Sequence, residues 1–254
     1  MIRRSTLRSQ IATALRDEIL AGRLGTGRQF TVKEIAEQYG VSATPVREAL
    51  LDLAAQGLLD VEQHRGFRVH EYTLEDYLAM CEARRLVVDG VLHEGAYTHG
   101  AGEGISGESA ENLASVRRRA DAAERAARAG DLDVLIAYDL RFWRELGGLI
   151  SNPYIGDFLD RLRVQCWVYA VPRLRARSSL RGHLWAGHSA LLDALERSDA
   201  DAAREVVADY NAHALTLVGA EGGQDGRSAE DREGAEDREG AGQARGDDGA
   251  GCDA

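Results

Sequence analysis

Lysine is almost absent from this chain of 254 residues: Lys33 stands alone among 31 basic residues, and the rest are arginine. A bias this uniform is a property of the whole composition, so no site is read from it. Long apolar runs are missing as well. None approaches the roughly 18 residues that a membrane-spanning helix needs. The start, Met1-Ile2-Arg3-Arg4-Ser5-Thr6, carries charge with no apolar segment behind it. Both absences argue against a membrane partner or a secretory leader and make a cytoplasmic location the expectation. Cysteine is scarce too: Cys81, Cys166 and Cys252 are odd in number, widely spaced and without any C-x-x-C pair. That pattern suggests neither a disulfide framework nor a zinc finger. What remains, 44% hydrophobic residues over this length, is enough for one good core or two small ones.

A net charge of -11 is a poor match to phosphate until its distribution is read. From Gly219 to Ala254 eleven acids face four arginines, a balance of -7, whereas residues 1–70 carry ten basic against eight acidic side chains, a balance of +2. The acidity is concentrated in a Gly/Ala-rich stretch with a tandem Ala-Glu-Asp-Arg-Glu-Gly at 229–234 and 235–240. Such a segment cannot bury a core, so residues 219–254 are expected to be a disordered acidic tail. It is either an inert solvated tail or one that competes with DNA for the basic domain.

Three domains follow: a head over 1–72, a helical region over 73–218, and the tail. In the head, Leu7, Ile11, Leu15 and Ile19 form a helical stripe ending at Ala21-Gly22. Thr31-Val32-Lys33-Glu34 has the form of a capping box and opens a short helix that Gly40 closes, with Val32, Ile35, Ala36 and Tyr39 inward. Ser42 is placed as the N-cap of a third helix, whose buried stripe is Val46, Ala49, Leu50 and Leu53. Thr44, Arg47 and Glu48 therefore point outward. This spacing predicts a helix-turn-helix that lays the third helix in the major groove, with Arg47 as the base reader. Leu59-Val61 and Phe67-Val69 alternate across His64-Arg65-Gly66 and predict a hairpin wing that reaches the minor groove or phosphate.

Beyond the head the periodicity predicts six helices: Thr73 to about Tyr97, Ser109–Ala129, Leu132–Ile150, Pro153 to about Arg177, Leu180–Arg197 and Ala200–Val218. Gly100–Gly107 reads as a flexible connection. Pro172 is expected to kink or divide its helix. The fold class is thus mainly α, a winged helix-turn-helix followed by an all-α bundle.

The run Val41-Ser42-Ala43-Thr44-Pro45-Val46-Arg47-Glu48-Ala49-Leu50, with Gly57-Leu58 and Arg65-Gly66, resembles the GntR-type transcription regulators. The resemblance implies that Arg47 reads bases, that Lys33 and Thr44 contact phosphate beside Ser42, and that His64, Arg65 and Gly66 form the minor-groove tip. Where the family usually has Arg, this chain has Ala43, so an altered operator or weaker binding is expected. Residues 73–218 resemble the helical FCD-type effector domain of the FadR branch through Glu82-Ala83-Arg84, Asp139-Leu140-Arg141-Phe142-Trp143, Ser151-Asn152-Pro153 and His188. That implies a homodimeric regulator, usually a repressor, on a palindromic double-stranded DNA operator, released or modulated by a small effector. Many members hold a divalent metal on one Asp and three His. Here Asp139 and His188 match, while Trp143 and Tyr210 stand at the other two positions. No cofactor is therefore required, although zinc, nickel or manganese on a shifted set of Asp139, His188 and His213 stays open.

With Trp143 in the metal's volume, an organic effector, a carboxylate, is expected in a pocket of Arg84, Asp139, Trp143, His188, Tyr210 and His213. The resemblance gives Arg84 the carboxylate clamp, against a solvated helix face as the other reading. His183 is expected to be a hydrogen-bonded core residue. Two rival functions differ in class: a metal-dependent enzyme, for which no carboxylate stands at general-base spacing, and a sensor whose head binds protein.

Overall fold

Capping chemistry fixes the head. Helix α1 (Leu7–Leu20) begins where Thr6 Oγ1 accepts a bond from the Ser9 amide at 3.2 Å. It buries Ile11, Leu15 and Ile19, but Leu7 is 47% exposed, because the first turn projects past the core it was expected to join. Helix α2 (Val32–Tyr39) opens with the expected capping box: Thr31 Oγ1 accepts from the Glu34 amide at 3.2 Å, and the Glu34 carboxylate accepts from the Thr31 amide at 2.6 Å. Those bonds hold the Glu34 carboxyl below its usual range. Gly40, at φ 65°, ends the helix in the left-handed region. Helix α3 (Ala43–Ala55) buries Val46, Ala49, Leu50 and Leu53. Ser42 occupies its N-cap position, yet the hydroxyl makes no capping bond and stays at the surface.

Strands β2 (Leu59–Glu62) and β3 (Gly66–Val69) form the expected hairpin in antiparallel register, Leu59 opposite Val69 and Val61 opposite Phe67. Leu59, Phe67 and Val69 face inward while Val61 is exposed. A third strand, β1 (Gln29–Phe30), pairs with β3 and gives the sheet order β1-β3-β2. It was not legible in the sequence, since two residues are too few to show alternation.

Six helices follow: α4 (Leu74–His93), α5 (Ala110–Ala129), α6 (Leu132–Ile150), α7 (Pro153–Arg175), α8 (His188–Glu196) and α9 (Ala200–Gly219). The computed structural model describes residues 6–93 and 110–219. The expected Gly100–Gly107 connection, the end of α4's expected span and the acidic tail past Gly219 lie outside the described residues. Asp131 and Asn152 cap α6 and α7 through their side chains. Helix α7 runs undivided through Pro172, which lies so near the end that it removes a single ladder bond. A larger difference concerns Leu180–Arg197, expected to be one helix: only His188–Glu196 is helical. Gly182 has φ 78°, and a Cβ at Gly187 would collide with the Trp185 indole. The irregular stretch turns Leu184 and Trp185 inward and leaves His183 exposed, contrary to the core role expected for it.

One apolar cluster spans head and bundle, running from Leu15, Leu50 and Leu53 to Val164, Val168, Val171 and Leu174 of α7. Polar bonds reinforce it: Gln165 Nε2 donates to the Gln56 carbonyl at 2.8 Å, and the Tyr72 hydroxyl donates to the Gly57 carbonyl at 2.5 Å. Helix α7 therefore touches the C-terminal end of α3 directly.

The wing rests on Gly66, whose φ is 103° and whose added Cβ would press on the Phe30 carbonyl oxygen. Gly66→Ala is expected to cost about 1–3 kcal/mol, read as a lower urea midpoint at unchanged m-value; an unchanged midpoint would contradict this account of the wing.

Candidate nucleic-acid interface and ligand cavity

The outer face of the head forms one cleft. Lys33, Ala43, Arg47, His64, Arg65 and Gly66 line it together with parts of α2 and the wing. Arg47 is exposed on the first turns of α3, held there because Val46, Ala49 and Leu50 on either side are buried. Lys33 is exposed and loosely paired with Glu37 at 3.8 Å, a contact that surface solvation makes weak. Ser42 and Thr44 are exposed on the same end of α3 but outside the cleft lining. His64, at φ 63°, turns the wing tip. Lys33, Arg47, His64 and Arg65 thus converge on one cleft, to which Ala43 contributes only a methyl group.

The bundle holds a cavity of about 50 Å³ lined by Arg84, Asp139, Arg163, Trp185, His188, Tyr210 and His213 among others. Five of the six expected effector residues meet there. Trp143, the sixth, lines the adjoining cavity instead, yet its indole Nε1 donates to Asp139 Oδ1 at 3.0 Å. His188 Nε2 also lies 3.0 Å from Oδ1, and Trp167 Nε1 donates to Oδ2 at 2.9 Å. Burial opposes ionisation of Asp139, but the hydrogen bond and charge of His188 and the bond from Trp167 win and hold the carboxyl below its usual range. Around this group the rings of Phe142, Trp143, Trp185, His188 and Tyr210 pack with centroids 4.6–6.4 Å apart.

Arg84, on α4, is buried at 2% exposure and already engaged. It donates to Asn211 Oδ1 at 3.0 and 3.2 Å, to the Tyr210 hydroxyl at 3.3 Å and to Cys81 Sγ at 3.9 Å, and it lies 4.5 Å over the Tyr210 ring. This resolves the choice of a solvated helix face against it. Burial pushes the Tyr210 hydroxyl up to about 12 and lowers His213 below its usual range. The His213 Nε2 is buried without a partner.

A divalent ion on Asp139, His188 and His213 does not fit this arrangement. Both Asp139 oxygens are occupied by N–H donors, His188 turns Nε2 toward the carboxylate rather than toward open space, and Trp143 fills the adjacent volume. Among the described residues no group of three His, Cys, Asp or Glu is placed to hold a metal.

Sequence reading missed Arg163, Trp167 and Trp185. Arg163 had a signal: it falls on the buried stripe of α7 with Leu159, Leu162 and Cys166, where a charge needs a reason. Trp185 had none, because it lies where a continuous helix was expected.

A winged helix-turn-helix head on an all-helical bundle with an internal cavity defines a two-part DNA-binding transcription regulator. Family models agree: "Bacterial regulatory proteins, gntR family" matches residues 7–69 and "FCD domain" matches 101–213. The chain thus carries a gntR-type head and an FCD domain. It is 29% identical over 228 residues to a probable D-xylose utilization operon transcriptional repressor of Paenarthrobacter nicotinovorans, covering 87% of this chain and 93% of that one. It is 26% identical over 210 residues to the HTH-type transcriptional regulator McbR of Escherichia coli (strain K12), covering 80% and 89%. In fold it is similar to the solved E. coli McbR/YncC, with a TM-score of 0.70 at 22% identity over 84% of this chain and 97% of that one. A GntR regulator from Rhodococcus sp. RHA1 gives 0.63 at 21% identity, covering 85% and 99%. These relatives are regulators, not enzymes.

Asp139→Asn would present an amide N–H₂ to at least one of three N–H donors. It is expected to cost about 3–5 kcal/mol at pH 7, measured by urea unfolding. Because the folded carboxyl titrates below the unfolded one, its stabilisation is present above the unfolded value of about 3.9 and is lost as pH falls through the folded value. The gap between wild type and variant should therefore narrow below about pH 4; a gap constant down to pH 3 would contradict an ionised Asp139.

Proposed function

We propose that the protein is a sequence-specific transcription repressor. It acts as a homodimer on a palindromic operator and is modulated by a small organic effector in the bundle cavity. The observation that carries this reading is the cleft in which Arg47, Lys33, His64, Arg65 and Gly66 meet. Arg47 is the one basic side chain on α3. Placed in the major groove, its planar fork suits a guanine edge, while Lys33, Ser42, Thr44 and the wing supply phosphate and minor-groove contacts. A methyl at Ala43 offers an apolar contact in place of a second guanidinium, which narrows what α3 can read to the bases that Arg47 reaches.

The head alone spans one half-site, and closed two-fold pairing matches a palindrome. The effector role is supported by the aromatic-walled cavity and by α7, which borders the cavity through Cys166 and Trp167 and bonds to the end of α3 through Gln165. A ligand that prefers one setting of α7 would shift the spacing of the heads by its differential affinity. A DNA partner implies work in the cytoplasm. No helix among the described residues is long and apolar enough to cross a membrane.

The test is retardation of a palindromic fragment from the region upstream of its own gene. Wild type should discriminate it from scrambled DNA. Arg47→Ala should lose that preference by about 1–3 kcal/mol per bidentate contact while keeping salt-sensitive non-specific binding. Unchanged operator affinity in Arg47→Ala would refute the recognition-helix assignment.

A further inference from the structure

Cysteine is scarce in this chain, yet two of its thiols meet inside the bundle. Helices α4 and α7 pack antiparallel, in a register marked by the Tyr77 ring stacked on the Tyr169 ring with centroids 4.6 Å apart. One turn along, Cys81 of α4 faces Cys166 of α7, and the two share a hydrogen bond. Both are free thiols, buried at 4% and 6% exposure. A cysteine buried in apolar surroundings is inert. These surroundings are not apolar, since Arg84 Nη2 donates to Cys81 Sγ at 3.9 Å.

The charges around the pair favour its ionisation. The other hydrogen-bond partners of Arg84 are Asn211 and Tyr210, neither of them an acid. One turn further along α7, Arg163 lies 4.2 Å over the Trp143 ring, and its Nε is buried without a partner. Against these two guanidiniums the described cavity lining sets one carboxylate, Asp139, whose oxygens are already taken by Trp143, Trp167 and His188. A thiolate at Cys81 supplies the missing negative charge at close range. The Cys166 hydrogen bond and then Arg84 hold the Cys81 thiol below its usual range against burial, while the same hydrogen bond and burial raise Cys166, which keeps its proton.

Of the two, Cys166 lines the cavity. About 50 Å³ holds only a few water-sized groups, at roughly 10–15 Å³ for each. Hydrogen peroxide fits that space, and a disulfide the size of oxidised glutathione does not.

We infer that Cys81 and Cys166 form a redox-modification site, a dithiol that a small hydroperoxide converts to a disulfide tying α4 to α7. Cys166 Sγ attacks one peroxide oxygen: an S–O bond forms, the O–O bond breaks and hydroxide leaves, while the Cys166 proton passes along the shared hydrogen bond to the Cys81 thiolate. Hydroxide takes up that proton as water. The Cys81 thiolate then attacks the sulfenic sulfur of Cys166: the S–S bond forms, the S–O bond breaks, and the second hydroxide leaves and draws a proton from solvent. The pair is oxidised by two electrons and the peroxide is reduced by two. In a reducing compartment such bonds are transient and sensing rather than structural. The tie acts on α7 beside Gln165, whose side chain bonds to the Gln56 carbonyl at the end of α3.

The test treats the reduced full chain with near-stoichiometric hydrogen peroxide, then alkylates free thiols after an acid quench and reads intact mass and a peptide map. Wild type should lose about 2 Da, one hydrogen from each thiol, and carry a Cys81–Cys166 link that dithiothreitol reverses. Oxidised glutathione should not produce it, nor should peroxide on the urea-unfolded chain. Cys81→Ser and Cys166→Ser should each abolish the mass loss, and the wild-type arms stand even where a variant fails to fold. The inference is overturned if wild type keeps both thiols, if the link joins Cys252 instead, if oxidised glutathione or the unfolded chain gives it as readily, or if either variant retains the mass loss. The oxidised protein should differ from the reduced one in operator affinity by about fivefold or more. A disulfide that forms as described yet leaves operator retardation unchanged would uphold the modification site and refute its coupling to DNA.

Discussion

The seam of α7 against the head is the contact on which the other features depend. Val164, Val168, Val171 and Leu174 share one apolar cluster with Leu15, Leu50 and Leu53, so the DNA-reading helix and the bundle are parts of one core rather than beads on a linker. On neighbouring positions the same helix carries Arg163, Cys166 and Trp167 to the cavity and Gln165 to the Gln56 carbonyl. A 23-residue helix spans roughly 35 Å at 1.5 Å per residue. Packed interiors resist gradual deformation, so under the proposed effector reading a change in the cavity wall would reach the end of α3 as movement of a stiff rod.

The cavity is organised by charge as much as by shape. A buried carboxylate is costly unless its lone pairs are filled. Asp139 meets that condition with two indoles and an imidazole. The same indoles exclude the ion that an Asp/His set could otherwise hold, and Trp143 then serves as the stacking surface for Arg163. One residue type thus converts a potential cation site into a site with spare positive charge.

Much of this was legible in the sequence because it depends on local rules. The capping box at Thr31–Glu34, the left-handed Gly40 and the stripe of α3 each arise from contacts within a few residues, and the exposed set on α3 follows from which side of that stripe is left over. Arg84, Asp139, His188 and Tyr210, singled out through resemblance, and His213, singled out by its spacing to Tyr210, line one cavity. The remainder depends on tertiary context. Strand β1 exists only because β3 has a free edge to pair with. The unwinding before His188 is set by the fit of Trp185 against Gly187. That Arg84 is satisfied while Arg163 is not is a matter of partners that come from other helices.

The central claim is that the state of the cavity is transmitted through α7 to the recognition helix. Amide hydrogen exchange in His188→Gln tests it directly, because that substitution alters the Asp139 network from α8 and changes no residue of α7 or the head. The account predicts faster exchange over the C-terminal turn of α3 and at Gln56–Leu58 as well as inside the bundle. Faster exchange confined to the bundle, with the amides of α3 unchanged, would contradict it.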